Sequence, residues 1–520
     1  MASSKFDDTL DVFATQNFKE NSIDAKRTMI FTPKDGLYNA QSLIFESGTL
    51  ANIVPDSVRY IAQMSFTAPD GSDLVSGRYQ LENALAVYQR LNVQFNREDA
   101  DNIRYPAKIL SKNMLVNKSE REIELDGDNI AFHPHTSTVA TAIVRNSTII
   151  KPAYVDTDRE FPYSRTDAGT IASAGGLAVV GTNTVFVAGM IGGIIVVANV
   201  GYQITAVSSA TGLTATGFPI VAGGTAYDIY YKDTSLLYNS QFARGSELGV
   251  SSSINASGKF WVDIPLKHVS GFLANPKMIP FGEIGLLLEK ETNWAPAIYK
   301  QGVGAVDAIV TVHNAMLVID VINPKLPVAN AIMDKFRSGT KYTRRVKKQA
   351  CHYVDQTSSN ANVDLQLSGK RIEDLWVFPQ EASQYANQTV NSMLSGAIGN
   401  WSQLALFCGQ IQFPRFRSFR GITDGNLLEF ADLRDSCDQM DSEGGCFLTK
   451  QRWLDLYRYL YINLSERSAD EKLSPDLLVR LDMTWLASAN RRSWIFYTYE
   501  EEYVYNVLDN RIEKVSSYVL

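Results

Sequence analysis

A chain of 520 residues, 45% apolar and 20% charged, can bury more than one sizeable core and is too apolar to stay unfolded. Its 49 basic and 56 acidic side chains leave a net charge of −7, which excludes a surface wholly given over to coating nucleic acid. Four cysteines are too few for a disulfide framework, and the start Met1-Ala2-Ser3-Ser4-Lys5-Phe6-Asp7-Asp8 has no apolar run behind a basic flank, which predicts an intracellular product made without a signal peptide.

In chain order, Ser57–Phe66 alternates in the period-2 manner of a half-buried strand. His133-Pro134-His135 could turn two imidazoles to one side, but the proline between them favours a solvated turn over a metal site. From Ala168 to Tyr227 there is no Asp, Glu, Lys or Arg, and these 60 residues hold 12 of the chain's 34 glycines. Their most apolar run, Val185–Val200, is 16 residues long, short of the ~20 that a spanning helix needs, and it is broken by Gly189, Gly192 and Gly193. Gly201–Val207 and Thr225–Tyr231 alternate like strands, so the stretch is expected to be a compact β insertion over residues 167–233. Val185, Phe186, Ile191, Ile194 and Ile195 are the candidates for packing within it or between copies.

Further on, Lys259–Ile264 and Ala308–Val312 read as strands around a short helix at Leu266–Phe272. Two prolines in Val321–Pro327 mark the boundary between an N-terminal domain, 1–322, and a C-terminal one, 323–520. Lys341, Arg344, Arg345, Lys347 and Lys348 form a basic stretch that reads as a nuclear-import or phosphate-facing patch, or as a charged strand edge that blocks unwanted pairing. Helices are expected near Leu427–Leu433 and over Thr449–Leu460, and strands over Asp476–Trp485 and Ser493–Tyr499. Cys437 and Cys446 read as free thiols, and Asp432, Asp435 and Glu500–Glu502 as solvated acidic clusters. Strand runs without regular intervening helices point to sandwiches or barrels, and a helix followed by an I-x-L or I-P-L element and a long strand recurs in both halves, as a duplication would leave it.

No phosphate-cradling G-x-x-x-x-G-K-[ST], G-x-S-x-G, H-E-x-x-H or C-x-x-C occurs, and there are only five histidines, so no catalytic, cofactor-binding or metal-ligating residue is assigned. The segments Arg371–Phe378, Phe447–Trp453, Tyr459–Ser465 and Leu477–Tyr499, with Phe260–Leu273 in the first half, resemble the double jelly-roll major capsid proteins of the polinton, adintovirus and virophage group. That resemblance implies an all-β chain of two tandem eight-stranded jelly rolls with short helices, the uncharged insertion forming a tower on the first. It further implies a homotrimer with a pseudo-hexagonal outline and a shell of such trimers around an enclosed, not specifically bound, double-stranded DNA genome. Penton and minor capsid proteins would be partners, the virion the location after synthesis in the cytoplasm or nucleus, and no cofactor would be needed. A trimeric fibre or adhesin that binds a receptor or glycan, and a carbohydrate-active enzyme with paired carboxylates, are the readings from other classes.

Overall fold

The structure is a computed structural model that describes the chain from residue 23 onward, except 73–77, most of 120–168, 231–258, 302–305, 340–341, 366–370, 390–400, 414–418, most of 421–456, 465–478, 507–510, 516–520 and isolated positions between. Its first half is built on one unusually long strand. β1 (Ile23–Phe31) is followed by β2 (Ser42–Thr67), whose 26 residues serve two sheets in turn. Residues 42–53 of β2 pair with β13 (Ile279–Lys290), whereas residues 53–67 pair with β15 (Ile309–Pro324) and, over 59–64, with β12 (Phe260–Pro265). The handover falls where Asn52 takes a left-handed φ of 56° and Pro55 offers no N–H, so the strand bends there without ending. β4 (Tyr88–Phe95) and β5 (Glu98–Arg104) complete the second sheet beside β13.

Counted along the chain, these eight segments pair first with eighth (β1·β15), second with seventh, third with sixth and fourth with fifth (β4·β5). The second half repeats the scheme. There β16 (Tyr342–Gln356) pairs with β24 (Arg491–Asn506), β17 (Asn360–Leu365) with β23 (Val479–Trp485), β18 (Arg371–Glu381) with β22 (Leu460–Asn463), and β19 (Trp401–Cys408) with β20 (Ile411–Phe413) and β21 (Phe419–Arg420). Each half is thus a doubled antiparallel ribbon rolled so that its strands fall into two facing sheets, one in the order 1-8-3-6 and the other 2-7-4-5. The chain is a double jelly roll. A two-stranded ribbon, β3 (Arg78–Leu81) with β14 (Ile298–Gln301), adds to the first roll, and β25 (Arg511–Val515) extends the second along β24.

The uncharged stretch folds as expected into β structure: β6 (Ser164–Thr166), β7 (Thr170–Thr182), β8 (Ile194–Val197), β9 (Val200–Ser209), β10 (Gly212–Thr225) and β11 (Asp228–Tyr230) form a separate sheet in the order 6-11-8-9-10-7. It leaves the first roll between its fifth and sixth strands. The expected strands 57–66, 259–264, 308–312 and 493–499 lie within β2, β12, β15 and β24, and the short helix at 266–272 appears as turns at Leu266–His268 and Gly271–Ala274.

Other expectations need correction. The helix expected over Thr449–Leu460 does not reach its end: Leu460 opens β22, and Trp453 Nε1 donates back to Tyr459 O at 2.7 Å. Of Leu427–Leu433 only Leu433 lies among the described residues. Two of the longer helices among the described residues are not signalled by the sequence pattern. Pro106–Asn117 is buried nearly all round, so it shows no amphipathic period, and Leu326–Arg337 begins at the proline pair that marks the boundary in the sequence.

Candidate assembly surfaces and the seam between the rolls

The insertion sheet has its own small core of Ile171, Val179, Phe186, Met190, Ile195, Ile204, Leu213, Phe218 and Ile229, with Phe186 against Tyr227 and Tyr202 against Phe218. Phe186 and Ile195 belong to this core, Ile194 is also buried, Ile191 is exposed, and Val185 lies outside the described residues. The opposite face of β7 and β10 carries Ala174, Ala178, Val180 and Ile220, with Ala174 paired to Ile220 across the ladder. Ile220 is 80% exposed, and Leu177, Val180 and Val200 are exposed elsewhere on the same sheet. The result is an uncharged, partly apolar face with a core of its own behind it, a surface of the kind that marks an interaction site.

The basic stretch does not form one patch. β16 is a sheet edge whose residues alternate, so Tyr342, Arg344, Val346 and Lys348 turn inward while Arg345 and Lys347 face solvent; Lys341 lies outside the described residues. Outside, Arg345 pairs with Glu502 at 2.9 Å and Lys347 with Glu373 at 2.9 Å. The acidic run Glu500–Glu502 stands directly opposite the basic one in the β16·β24 ladder. The sequence carried the signal: two clusters of opposite charge, whose relation is legible once those strands are paired.

Inside, the same strand locks onto the first roll. Arg344, 2% exposed, donates from Nη2 to Phe272 O and Asn275 O at 2.6 Å each and from Nη1 to Lys277 O at 2.9 Å, capping the carbonyls at the end of the turn Gly271–Ala274. Its guanidinium lies 4.9 Å from the centre of the Phe272 ring. Gly271 is required by this approach, because a Cβ there would sit 1.9 Å from Lys347 O. Lys348 Nζ reaches Glu501 Oε2 at 2.6 Å and Asp101 Oδ1 at 3.2 Å and donates to Ala100 O. The Tyr503 hydroxyl has its single proton within hydrogen-bond reach of both Ala100 O at 2.7 Å and Glu501 Oε2 at 2.8 Å, and Asp101 is held by the hydroxyl of Ser270 and the N–H of Phe272. Burial and the neighbouring carboxylates push the Tyr503 phenol well above its ordinary pKa, so it stays a donor.

Beside this cluster the helix Pro106–Asn117 wedges between the rolls. Lys108 pairs with Glu82 at 2.8 Å, both buried, and lies 5.1 Å from the Trp494 ring. Lys112, wholly buried, lies 5.0 Å from the Trp376 ring, and loss of water lowers its pKa. Tyr105 packs on Tyr353 and Trp494 at 5.4 and 5.2 Å. Buried side chains of both rolls therefore form one continuous cluster.

Among the described residues no three His, Cys, Asp or Glu side chains gather as a metal would require, and no helix is long and apolar enough to cross a membrane. His133, His135, Cys437 and Cys446 lie outside the described residues.

No family model and no curated protein sequence matches the chain. Among solved structures it is similar to a chain of the Sputnik virophage (11% identity, 98% of this chain and 92% of that one, TM-score 0.48) and to the mavirus major capsid protein (8%, 97% and 94%, TM-score 0.46). The Faustovirus major capsid protein aligns at 9% identity over 94% and 92%, with a TM-score of 0.46.

Proposed function

We propose that this chain is a major capsid protein: a subunit that trimerises into a pseudo-hexameric capsomer and tiles an icosahedral shell around a double-stranded DNA genome, with penton and minor capsid proteins as companions and the virion as its place of work. The observation that carries the reading is the repeated 1-8-3-6 and 2-7-4-5 threading of two rolls fused through one core. Three copies of a two-roll block present six similar flanks, so a three-fold assembly acquires a near six-fold outline that can tile a surface. Residues 1–322 and 323–520 are the two rolls in this reading, with 167–233 as a tower on the first. Around the three-fold axis the uncharged faces of the towers pack together through Leu177, Val180 and Ile220, since depletion of charge is what the centre of such an interface requires.

The test is the assembly state. Purified protein should scatter light as three copies of 57.7 kDa, about 173 kDa, and appear hexagonal in negative stain. A lasting monomer would overturn the reading, and a trimer without the hexagonal outline that binds on a glycan array would favour a fibre or adhesin. Ile194→Asp cannot probe the interface cleanly, because that side chain is already buried in the single chain. Ile220→Asp, on the outer face, should leave the fold intact and reduce the trimer fraction.

A further inference from the structure

The ionic cluster of the seam has the parts of a bond-forming site. Lys348 Nζ lies between two carboxylates from different rolls, 3.2 Å from Asp101 Oδ1 and 2.6 Å from Glu501 Oε2. Lys348 is 5% exposed and Asp101 3%, and the Tyr503 ring, itself edge-on to Phe272, lies 5.0 Å from the ammonium. A salt bridge needs one carboxylate. The second gives the amine a place to lose a proton, in surroundings where burial makes separate charges costly.

Asp101 is also set up to be attacked. Its Oδ2 receives the hydroxyl of Ser270 and, at 2.9 Å, the N–H of Phe272. Ser270 Oγ itself accepts from the N–H of Leu273 at 3.3 Å, which turns its own proton toward Asp101. Two donors fixed on one carboxylate oxygen are placed to hold the negative charge that gathers there when a nucleophile adds to the carbon. The other oxygen, Oδ1, touches the ammonium and is the one that can take up protons and leave.

We propose that Lys348 and Asp101 condense into an isopeptide bond that joins the two rolls covalently, with Glu501 as proton carrier. Glu501 takes a proton from the Lys348 ammonium and passes it to Asp101 Oδ1, leaving a neutral amine beside a neutral acid. Nζ then attacks Asp101 Cγ with its lone pair, and the displaced carbonyl electrons gather on Oδ2 under the Ser270 and Phe272 donors. Glu501 removes a second proton from Nζ and delivers it to Oδ1, which departs with the Cγ–Oδ1 electron pair as water while Oδ2 restores its double bond. Of the three ammonium protons the amide keeps one and the water carries two, so no oxidant, reductant or further reactant enters. The fold holds the reacting groups in contact, and two buried charges become one neutral amide, which relieves their desolvation cost. The bond belongs to the single chain and stands apart from the capsid reading.

Intact-mass spectrometry of the full-length protein, incubated folded and then denatured, should read one water below the sequence mass. Tandem spectra of its digest should contain a branched peptide joining Lys348 to Asp101. Lys348→Arg, which keeps the cation, should restore the full mass, and Glu501→Gln should form the bond at least about a hundredfold more slowly. A retained melting transition shows that these variants fold, and the unaltered chain decides whether the bond exists even if they do not. The full sequence mass in that chain would overturn the proposal. So would a lost water that survives in Lys348→Arg, which would mark a succinimide elsewhere, or a branch at Glu501 in place of Asp101. Undiminished bonding in Glu501→Gln would overturn the proton route.

Discussion

The insertion sheet and the seam between the rolls solve opposite problems with opposite chemistry. The insertion carries no formal charge from Ala168 to Tyr227 and packs an apolar core between hydrogen-bonded strands, while the seam sets Arg344, Lys348, Asp101 and Glu501 among aromatic rings. An apolar contact tolerates many arrangements of the same volume. A buried cation is satisfied in only one, because any other docking leaves its partners unpaired in a low dielectric. The seam therefore fixes how the rolls sit together, and the insertion is left free of such constraint.

Breaking the seam should have the largest effect. Lys348→Met strands Asp101 and Glu501 without their cation and should lower unfolding stability by about 3–5 kcal/mol, measured by denaturant titration; a loss below about 1 kcal/mol would show that the cluster does not hold the rolls. In the insertion, Ile195→Ala removes a fully buried side chain and should cost about 2–4 kcal/mol, seen as faster amide exchange over residues 170–225 with the rolls unaffected. Loss of protection in β16 as well would mean that the two regions are coupled.

The turn Leu266–His268 beside the seam gives a pH test. His268 is held at about 4 in the folded protein, below the ordinary 6.5, so the unfolded chain binds the proton first as pH falls. Its contribution is present above about pH 6.5 and is lost as pH falls toward 4, by up to about 3 kcal/mol. His268→Gln should flatten that part of the stability profile; an unchanged slope would refute the assignment. The smallest effect belongs to the outer face of the same strand: Arg345→Ala breaks a largely exposed pair and should change stability by about 1 kcal/mol or less, sharpening the contrast with Lys348 three residues on.

Much of this was legible in the residues. The strand runs 57–66 and 259–264 were legible because each has one wetter and one dry face, 493–499 because an apolar, aromatic run suits an interior strand buried on both faces, and the missing charges of 168–227 marked a separate unit. The helix Pro106–Asn117 was hidden because burial on all sides erases the period that reveals a helix, and its lysines look like surface residues until the rings of Trp376 and Trp494 are placed over them. The basic stretch left its two readings, a patch or a charged strand edge, open for the same reason. Period 2 sends alternate members of a charge run to opposite faces, but which face is buried depends on a partner more than 200 residues away, as Asp101 is from Lys348.

The pairing of β1 with β15 also sets an order in time. Thr28 donates to Asp320 across 292 positions, so the first roll cannot close until its last strand has been synthesised. The insertion's ladders, by contrast, run between β7 and β10 and between β8 and β9, within a few dozen residues. It can fold on the ribosome while its parent roll is still an open ribbon. A segment that must wait beside unpaired strands gains from lacking charges that could capture Lys348 or Asp101 before their proper partners arrive.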